Sequence, residues 1–247
     1  MTTDPADVAV VILAAGLGTR MKSDRAKVLH EIHGKPMISY VVDTARAVAG
    51  NQLVIVVGHQ AEQVKRTVAD QADVLYAHQH EQLGTGHAVM CAMPILPEAA
   101  RHVVILCGDV PLLRKTTLRR FVEEHRFPNR TLSVLAARVN NPKGYGRILK
   151  APDGTVTGIV EEADATQAQK SINIVNTGIY CVDRHFLTFA LEQIQADNAQ
   201  GEYYLTDIVN IAHREGMNIG VTIGNDPDEF IGINSREQLK AVEQLMK

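Results

Sequence analysis

The sequence predicts an α/β fold in which helices flank a mixed, mostly parallel central sheet. Three observations predict it. Val8–Leu13, Leu53–Val57 and Val103–Cys107 are unbroken apolar runs rich in β-branched residues, the pattern of strands buried on both faces. Segments with apolar residues at helical spacing separate them, and a βαβα order implies parallel strands covered on both sides. The later stretches Leu132–Val139, Tyr145–Lys150, Val156–Val160 and Ile172–Val182 are strand-like and joined by short turns, which adds antiparallel pairing.

The elements follow in order. After Val8–Leu13, residues Pro36 to Val48 carry Met37, Tyr40, Val41, Thr44 and Val48 on one helical face, with Pro at the first helical position, where its missing N–H is harmless. Leu53–Val57 is a strand closed by Gly58. Ala61–Ala69 reads as a helix and Asp73–Ala77 as a strand. Gly86–Met93 is a short helix stopped by Pro94. Val103–Cys107 is a strand and Thr116–His125 a helix. Pro152-Asp153-Gly154 predicts a tight turn between two strands. His185–Ile194 and Thr206–Arg214 are helices, Ile219–Ile223 a strand, and Ser235–Met246 an amphipathic helix. No linker, repeat or break in composition divides the chain, so residues 1–247 are expected to form one domain. Its first half runs over about 8–127, its second over about 128–234, and its last helix over 235–246.

At 247 residues, one α/β domain is the expected size. Hydrophobic residues make up 45% and charged residues 21%, enough to bury a core and to exclude disorder across most of the chain. Twenty-five basic residues against 28 acidic leave a net charge of −3, so there is no electrostatic footprint for nucleic acid or an anionic membrane, and neither partner is expected. Cys91, Cys107 and Cys181 lie far apart and form no CxxC pair, which points to a reducing cytoplasm. The first seven residues hold Asp4 and Asp7 and no basic residue, unlike the start of a secretory signal. The apolar run Val8–Ala15 is far too short to span a bilayer.

Leu13-Ala14-Ala15-Gly16-Leu17-Gly18-Thr19-Arg20-Met21 is the most informative segment. A small-residue loop after a buried strand leaves backbone N–H groups free to point at phosphate oxygens. The dinucleotide pattern GxGxxG and the P-loop GxxxxGK[ST] both fail here, because each needs Gly where Met21 stands. The segment is therefore a phosphate loop of another kind or a plain strand-to-helix turn. Arg20 and Lys27 follow it and would neutralise charge on a departing pyrophosphate, or else are solvated cations; Lys22 and Lys35 compete for that role. In Leu106-Cys107-Gly108-Asp109-Val110-Pro111, a carboxylate stands at the end of a strand, where open α/β sheets bind ligands. Asp109 suits Mg²⁺, which prefers one or two carboxylates plus phosphate and water, or it caps the turn before Pro111. Gln79 to His87 is a polar, Gly-rich loop fit to hydrogen-bond a base edge. The ten histidines show no metal-ligand spacing, and there is no GxSxG nucleophile elbow.

Taken together, these motifs resemble the sugar-phosphate nucleotidyltransferases, and among them the uridyltransferase domain of the bacterial bifunctional uridyltransferase/acetyltransferases. The resemblance runs from Val8 to about Arg236. LAAGLGTRM is shared with cytidylyl- and guanylyltransferases, whereas EQLGTGHAV at Glu81–Val89, GYGRI at Gly144–Ile148, NTGIY at Asn176–Tyr180 and GEYYLTD at Gly201–Asp207 narrow it. The resemblance implies a Rossmann-like nucleotidyltransferase fold with a nucleotide-binding first half and a sugar-phosphate-binding second half. It implies that Leu13, Ala14, Ala15 and Gly16 line the nucleotide, that Lys27 meets its phosphates, and that Gln79, Gly84 and Thr85 read uracil. Asp109 and Asn234 would hold Mg²⁺, Gly146, Glu161 and Asn176 the sugar, and Arg20 would steady the pyrophosphate. Cys107 stands where relatives vary. The implied reaction joins UTP and N-acetyl-glucosamine 1-phosphate into UDP-N-acetylglucosamine, releasing pyrophosphate, a step toward cell-wall and lipopolysaccharide precursors. Another nucleotide and sugar-phosphate pair, or a catalytically silent sugar-nucleotide binder, are the competing readings. The bifunctional relatives continue into hexapeptide repeats that bind acetyl-coenzyme A. None occurs in these 247 residues, so no acetyl-coenzyme A site is expected in this chain, whether it is free-standing or part of a longer protein.

Overall fold

The computed structural model describes residues 7–126 and 130–246. The division between halves at 127/128, the N-terminal residues 1–6 and Lys247 lie outside the described residues. In chain order the elements are β1 (Val8–Leu13), β2 (Glu31–Ile32), β3 (Lys35–Pro36), α1 (Met37–Ala49), β4 (Leu53–Val57), α2 (Ala61–Ala69), β5 (Leu75–His78), α3 (Thr85–Ala92), β6 (His102–Cys107) and α4 (Lys115–His125). There follow β7 (Leu132–Arg138), β8 (Arg147–Lys150), β9 (Val156–Val160), α5 (Gln167–Lys170), β10 (Ile174–Asp183), α6 (Arg184–Leu191), α7 (Asp207–Arg214), β11 (Ile219–Ile223) and α8 (Arg236–Leu245).

Among the described residues, a sheet of nine strands carries the fold in the order β11-β7-β10-β6-β1-β4-β5, with β8 joined to β10 and β9 to β8. β1 pairs parallel with β4 and β6, β4 with β5, and β7 with β11. β10 runs antiparallel to β6, β7 and β8, so it alone opposes the other strands of the main ladder. The sheet is mixed and mostly parallel, as the sequence predicts.

β1 shows why. Its side chains alternate between faces, as a strand's geometry requires. Val8, Val10 and Ile12 enter a core with Val41 of α1, Val64 of α2 and Phe121 of α4. Ala9 and Val11 enter the opposite core with Val89 of α3, Leu187 of α6 and Ile208 of α7. Every β1 residue from Val8 to Ile12 is fully buried, and each large apolar side chain so buried stabilises the fold by about 1.5–3 kcal/mol. α8 starts at its cap, Ser235, whose side chain accepts from the Gln238 N–H, and packs Val242 against Ile32, Met37 and Ile233.

Several boundaries differ from the sequence reading for physical reasons. Pro36 is the N-cap of α1 with an extended ψ of 141°, not its first helical residue, because it pairs with Glu31 in the small β2–β3 hairpin. That hairpin turns on His33 and Gly34, both at positive φ, and went unread in the sequence. β5 sits over Leu75–His78 rather than 73–77, because its register is set by β4, which ends at Val57 opposite His78. The turn predicted at Pro152-Asp153-Gly154 joins β8 to β9, with Gly154 at φ +89°.

β1, β4, β5 and β6 end at one level: Leu13 pairs with Val56 and Cys107, and Val57 with His78. The loops after them therefore open at one edge, beside the β1 strand where the strand order reverses direction. No helix among the described residues is long and apolar enough to cross a membrane.

Candidate active site

At that edge a cleft of about 470 Å³ gathers Leu13, Ala14, Ala15 and Gly16 with Lys27 and Asp109. Gln79, Gly84 and Thr85 close its other side. The loop after β1 is irregular. Ala14 N–H donates to Val56 O at 2.9 Å, and Met21 N–H to Gly18 O at 2.9 Å. Between them, among the described residues, the N–H groups of Ala15 to Thr19 meet no acceptor. A plain turn would close on itself; this one leaves a row of donors open, as anion-binding loops do.

Lys27 opens a short 3₁₀ turn and sends Nζ to 2.5 Å from Asp109 Oδ2 and 3.0 Å from Asn234 Oδ1. Arg20 Nη2 donates to the same Asn234 Oδ1 at 2.9 Å. Asn234 arrives from far along the chain because Ile233 N–H donates to the Asp109 carbonyl oxygen at 3.0 Å. Four predicted residues thus meet, with the Lys27 and Asp109 side chains only 18% and 14% exposed. Of the two rival cations, Lys35 is engaged elsewhere, its ammonium pairing with Asp43. One carboxylate and one amide oxygen form a donor set fit for a hard cation that keeps water and phosphate oxygens. The place between them already holds a positive charge. Among the described residues no set of three or more His, Cys, Asp or Glu gathers to hold a metal.

The predicted base loop is stapled in place. Gln79 is 4% exposed; its N–H donates to Val57 O at 2.8 Å and its Nε2 to Gly84 O at 3.0 Å. Only the amide nitrogen can favourably meet a carbonyl oxygen, so the amide oxygen is the atom left to accept. Gly84 has φ +109°, and a Cβ there would lie 2.7 Å from Tyr203 O, so no other residue fits. Gly86 N–H donates to Tyr203 O at 2.7 Å, and Thr85 Oγ1 accepts from Leu205 N–H at 3.0 Å.

Gly146, Glu161 and Asn176 form a second cluster. Asn176 N–H donates to Gly146 O at 2.9 Å, and a Cβ built on Gly146 would lie 3.3 Å from Glu161 Oε2. Asn176 Nδ2 donates to the Tyr180 hydroxyl at 2.7 Å, and its Oδ1 accepts from Gly178 N–H at 3.0 Å. Burial pushes the Glu161 carboxyl above its ordinary pKa; a hydrogen bond from Thr206 works the other way, while Asp164 and Asp207 raise it further. Cys107 joins the clusters: it lines the cleft, and its Sγ lies 3.7 Å from Gly178 O. Burial and the nearby Asp109 push its thiol up to about 12, which disfavours a thiolate at neutral pH.

The sequence reading missed Gln82 and Glu202, which also line the cleft, and the Thr206 hydrogen bond to Glu161. All three lie in EQLGTGHAV and GEYYLTD, motifs whose spacing marks the resemblance but does not say which of these side chains turn toward the cleft.

Residues 9–227 match the family model described as nucleotidyl transferase. The chain is 49% identical over 241 residues to the "Bifunctional protein GlmU" of Geotalea uraniireducens (strain Rf4), covering 98% of this chain and 53% of that protein. It is 50% identical over 233 residues to the protein of that name from Geobacter sulfurreducens, covering 94% and 49%. Over 237 residues it is 48% identical to that of Heliobacterium modesticaldum, covering 96% and 51%. The chain spans about half the length of the curated relatives it matches. A loop with open N–H groups, a carboxylate at the end of the neighbouring strand and a match over nearly the whole chain agree: this chain belongs to the nucleotidyl transferase family.

Proposed function

We propose that this domain transfers a uridylyl group from UTP to N-acetyl-α-glucosamine 1-phosphate, forming UDP-N-acetylglucosamine and pyrophosphate. The observation that carries the reading is the single cleft in which the open N–H loop, Lys27, Asp109 and the Gln79–Thr85 loop converge, next to the Gly146–Glu161–Asn176 cluster. Leu13 to Gly16 receive the nucleotide phosphates, and the Gln79 amide oxygen accepts from uracil N3–H. Glu161 and Asn176 hydrogen-bond the sugar. Asp109 and Asn234 would hold Mg²⁺, which supplies charge neutralisation on phosphate oxygens. The sugar's phosphate oxygen attacks the α-phosphorus in line, and pyrophosphate leaves toward Lys27 and Arg20. No protein nucleophile is needed, because the attacking phosphate is ionised at neutral pH. The chain's contribution is orientation and preorganised charge. Free cysteines at 91, 107 and 181 support a reducing cytoplasm as the setting.

A pyrophosphate-release assay over a grid of nucleotides and sugar 1-phosphates tests the reading. The fastest release is expected with UTP and N-acetyl-glucosamine 1-phosphate. A faster pair with CTP, dTTP or glucose 1-phosphate would reassign the substrates. Tight binding with no release for any pair would make the domain a sugar-nucleotide binder.

A further inference from the structure

The charge between Asp109 and Asn234 bears on how a cation could enter there. Asn234 Oδ1 has two lone pairs, and Arg20 Nη2 at 2.9 Å and Lys27 Nζ at 3.0 Å take both. Asp109 Oδ2 is held by the same ammonium at 2.5 Å, both side chains being mostly buried. Asp109 Oδ2 and Asn234 Oδ1, two of the oxygens that would bind a divalent cation, are thus occupied by cations of the protein's own. A metal ion arriving alone at those two oxygens must displace Lys27 against like-charge repulsion and separate its mostly buried ammonium from its partners. A nucleotide changes that balance. The Lys27 stem runs beneath the phosphate loop, where a Cβ on Gly18 would lie 2.6 Å from Lys27 Cβ, and the loop's N–H groups are open. Phosphates seated on the loop offer Nζ new acceptors within reach of a flexible four-carbon stem.

We propose that Lys27 is an internal cation plug. Its ammonium fills the seat between Asp109 and Asn234 in the nucleotide-free protein, excludes a divalent cation, and vacates the seat when a triphosphate draws it onto the loop. This rests on the reading of Asp109 and Asn234 as metal ligands. It makes cation and nucleotide binding mutually reinforcing, since coupling of this kind is reciprocal.

The test is Mn²⁺ uptake by the whole 247-residue chain, read from the spin resonance of free Mn²⁺ with and without a non-reacting α,β-methylene analogue of UTP, the Mn²⁺ bound by the analogue alone being measured without protein and subtracted. The wild type is expected to take up Mn²⁺ at least tenfold more tightly with the analogue than without it. Lys27→Met, and Lys27→Gln as a second uncharged variant, are expected to bind Mn²⁺ alone at least tenfold more tightly than wild type and to lose most of the analogue's enhancement. Folded variants that bind Mn²⁺ alone no better than wild type overturn the plug. The Asp109→Asn arm tells the two failures apart. If it abolishes uptake in the presence of the analogue, the metal reading survives and only the plug falls. If it leaves that uptake unchanged, both fall.

Discussion

The Ile233 N–H donates to the Asp109 carbonyl oxygen at 3.0 Å, and this one backbone bond sets the Asn234 amide beside the Asp109 carboxylate. A strand end and a segment just before the last helix are thereby joined into one polar corner, which Lys27 and Arg20 complete. On the proposed function, the charge of that corner matters more than its shape. Asp109→Asn preserves the side chain's size and removes the charge that a hard cation needs. Turnover is expected to fall by about two orders of magnitude or more, the scale of losing one electrostatic element of a site. Steady-state pyrophosphate release by the folded variant checks it, and near-normal turnover would remove Asp109 from the chemistry.

Base choice is expected to rest on Gln79. Its nitrogen is committed to Gly84 O, so its oxygen accepts from uracil N3–H, whereas cytosine presents an acceptor at that position. A buried polar group left unpaired costs about 1–3 kcal/mol. Gln79→Ala is therefore expected to lower kcat/KM for UTP roughly ten- to hundredfold and leave the much slower CTP reaction nearly unchanged. If both nucleotides fall together, Gln79 holds the loop and does not read the base.

Glu161 separates function from stability. With glutamine in its place, a charge-assisted hydrogen bond worth about 1.5–3 kcal/mol is lost, and the loss is expected in KM for the sugar phosphate, with UTP affinity by calorimetry intact. Burial raises the folded-state pKa of Glu161, so its ionisation weighs against the fold as pH rises through that pKa. Glu161→Gln is thus expected to raise Tm at neutral pH, and the gain should vanish below the ordinary carboxylate range. Equal weakening of UTP and sugar phosphate would move Glu161 to the nucleotide side.

Acid sensitivity is expected from the far end of the sheet. His125 is 1% exposed, with Nδ1 2.9 Å from Ser133 Oγ and Nε2 3.2 Å from His102 Nδ1. Burial and the neighbouring His102 push its pKa down from 6.5 to about 3. A lowered pKa contributes stability that is whole above 6.5 and drains as pH falls toward 3. The slope is about 1.4 kcal/mol per pH unit from this one group, and His102, also lowered by burial, adds to it. Denaturant melts from pH 7 to 4 are expected to show that slope, flattened in His125→Phe; an unchanged slope would assign the acid loss to other groups.

Much of this was legible in the chain itself because it is local. β4, α2, β9 and β11 lie where the residues predict them, since an apolar run or a helical stripe is written in consecutive residues. The loop after β1 and the Asp109 turn could be found the same way. The edge strand β5 was misplaced by two residues at its start because a four-residue strand takes its register from its partner. The Gln79 amide could be named but not oriented, because its direction depends on a carbonyl presented by a loop that is itself pinned to Tyr203.

The sequence by itself determined which stretches are buried and that they alternate as strand and helix; the residues expected to meet base and sugar came from its family resemblance. Only the tertiary structure decided the strand order, with β10 set against its neighbours. It also decided that Lys27 stands on Asp109 across 82 residues and on Asn234 across 207. Hydrophobic pattern specifies that a face must be covered, not by what, and partners so distant are chosen by the packing of the whole sheet. The Lys27 ammonium takes its place because that packing gives it two oxygens in a mostly buried position.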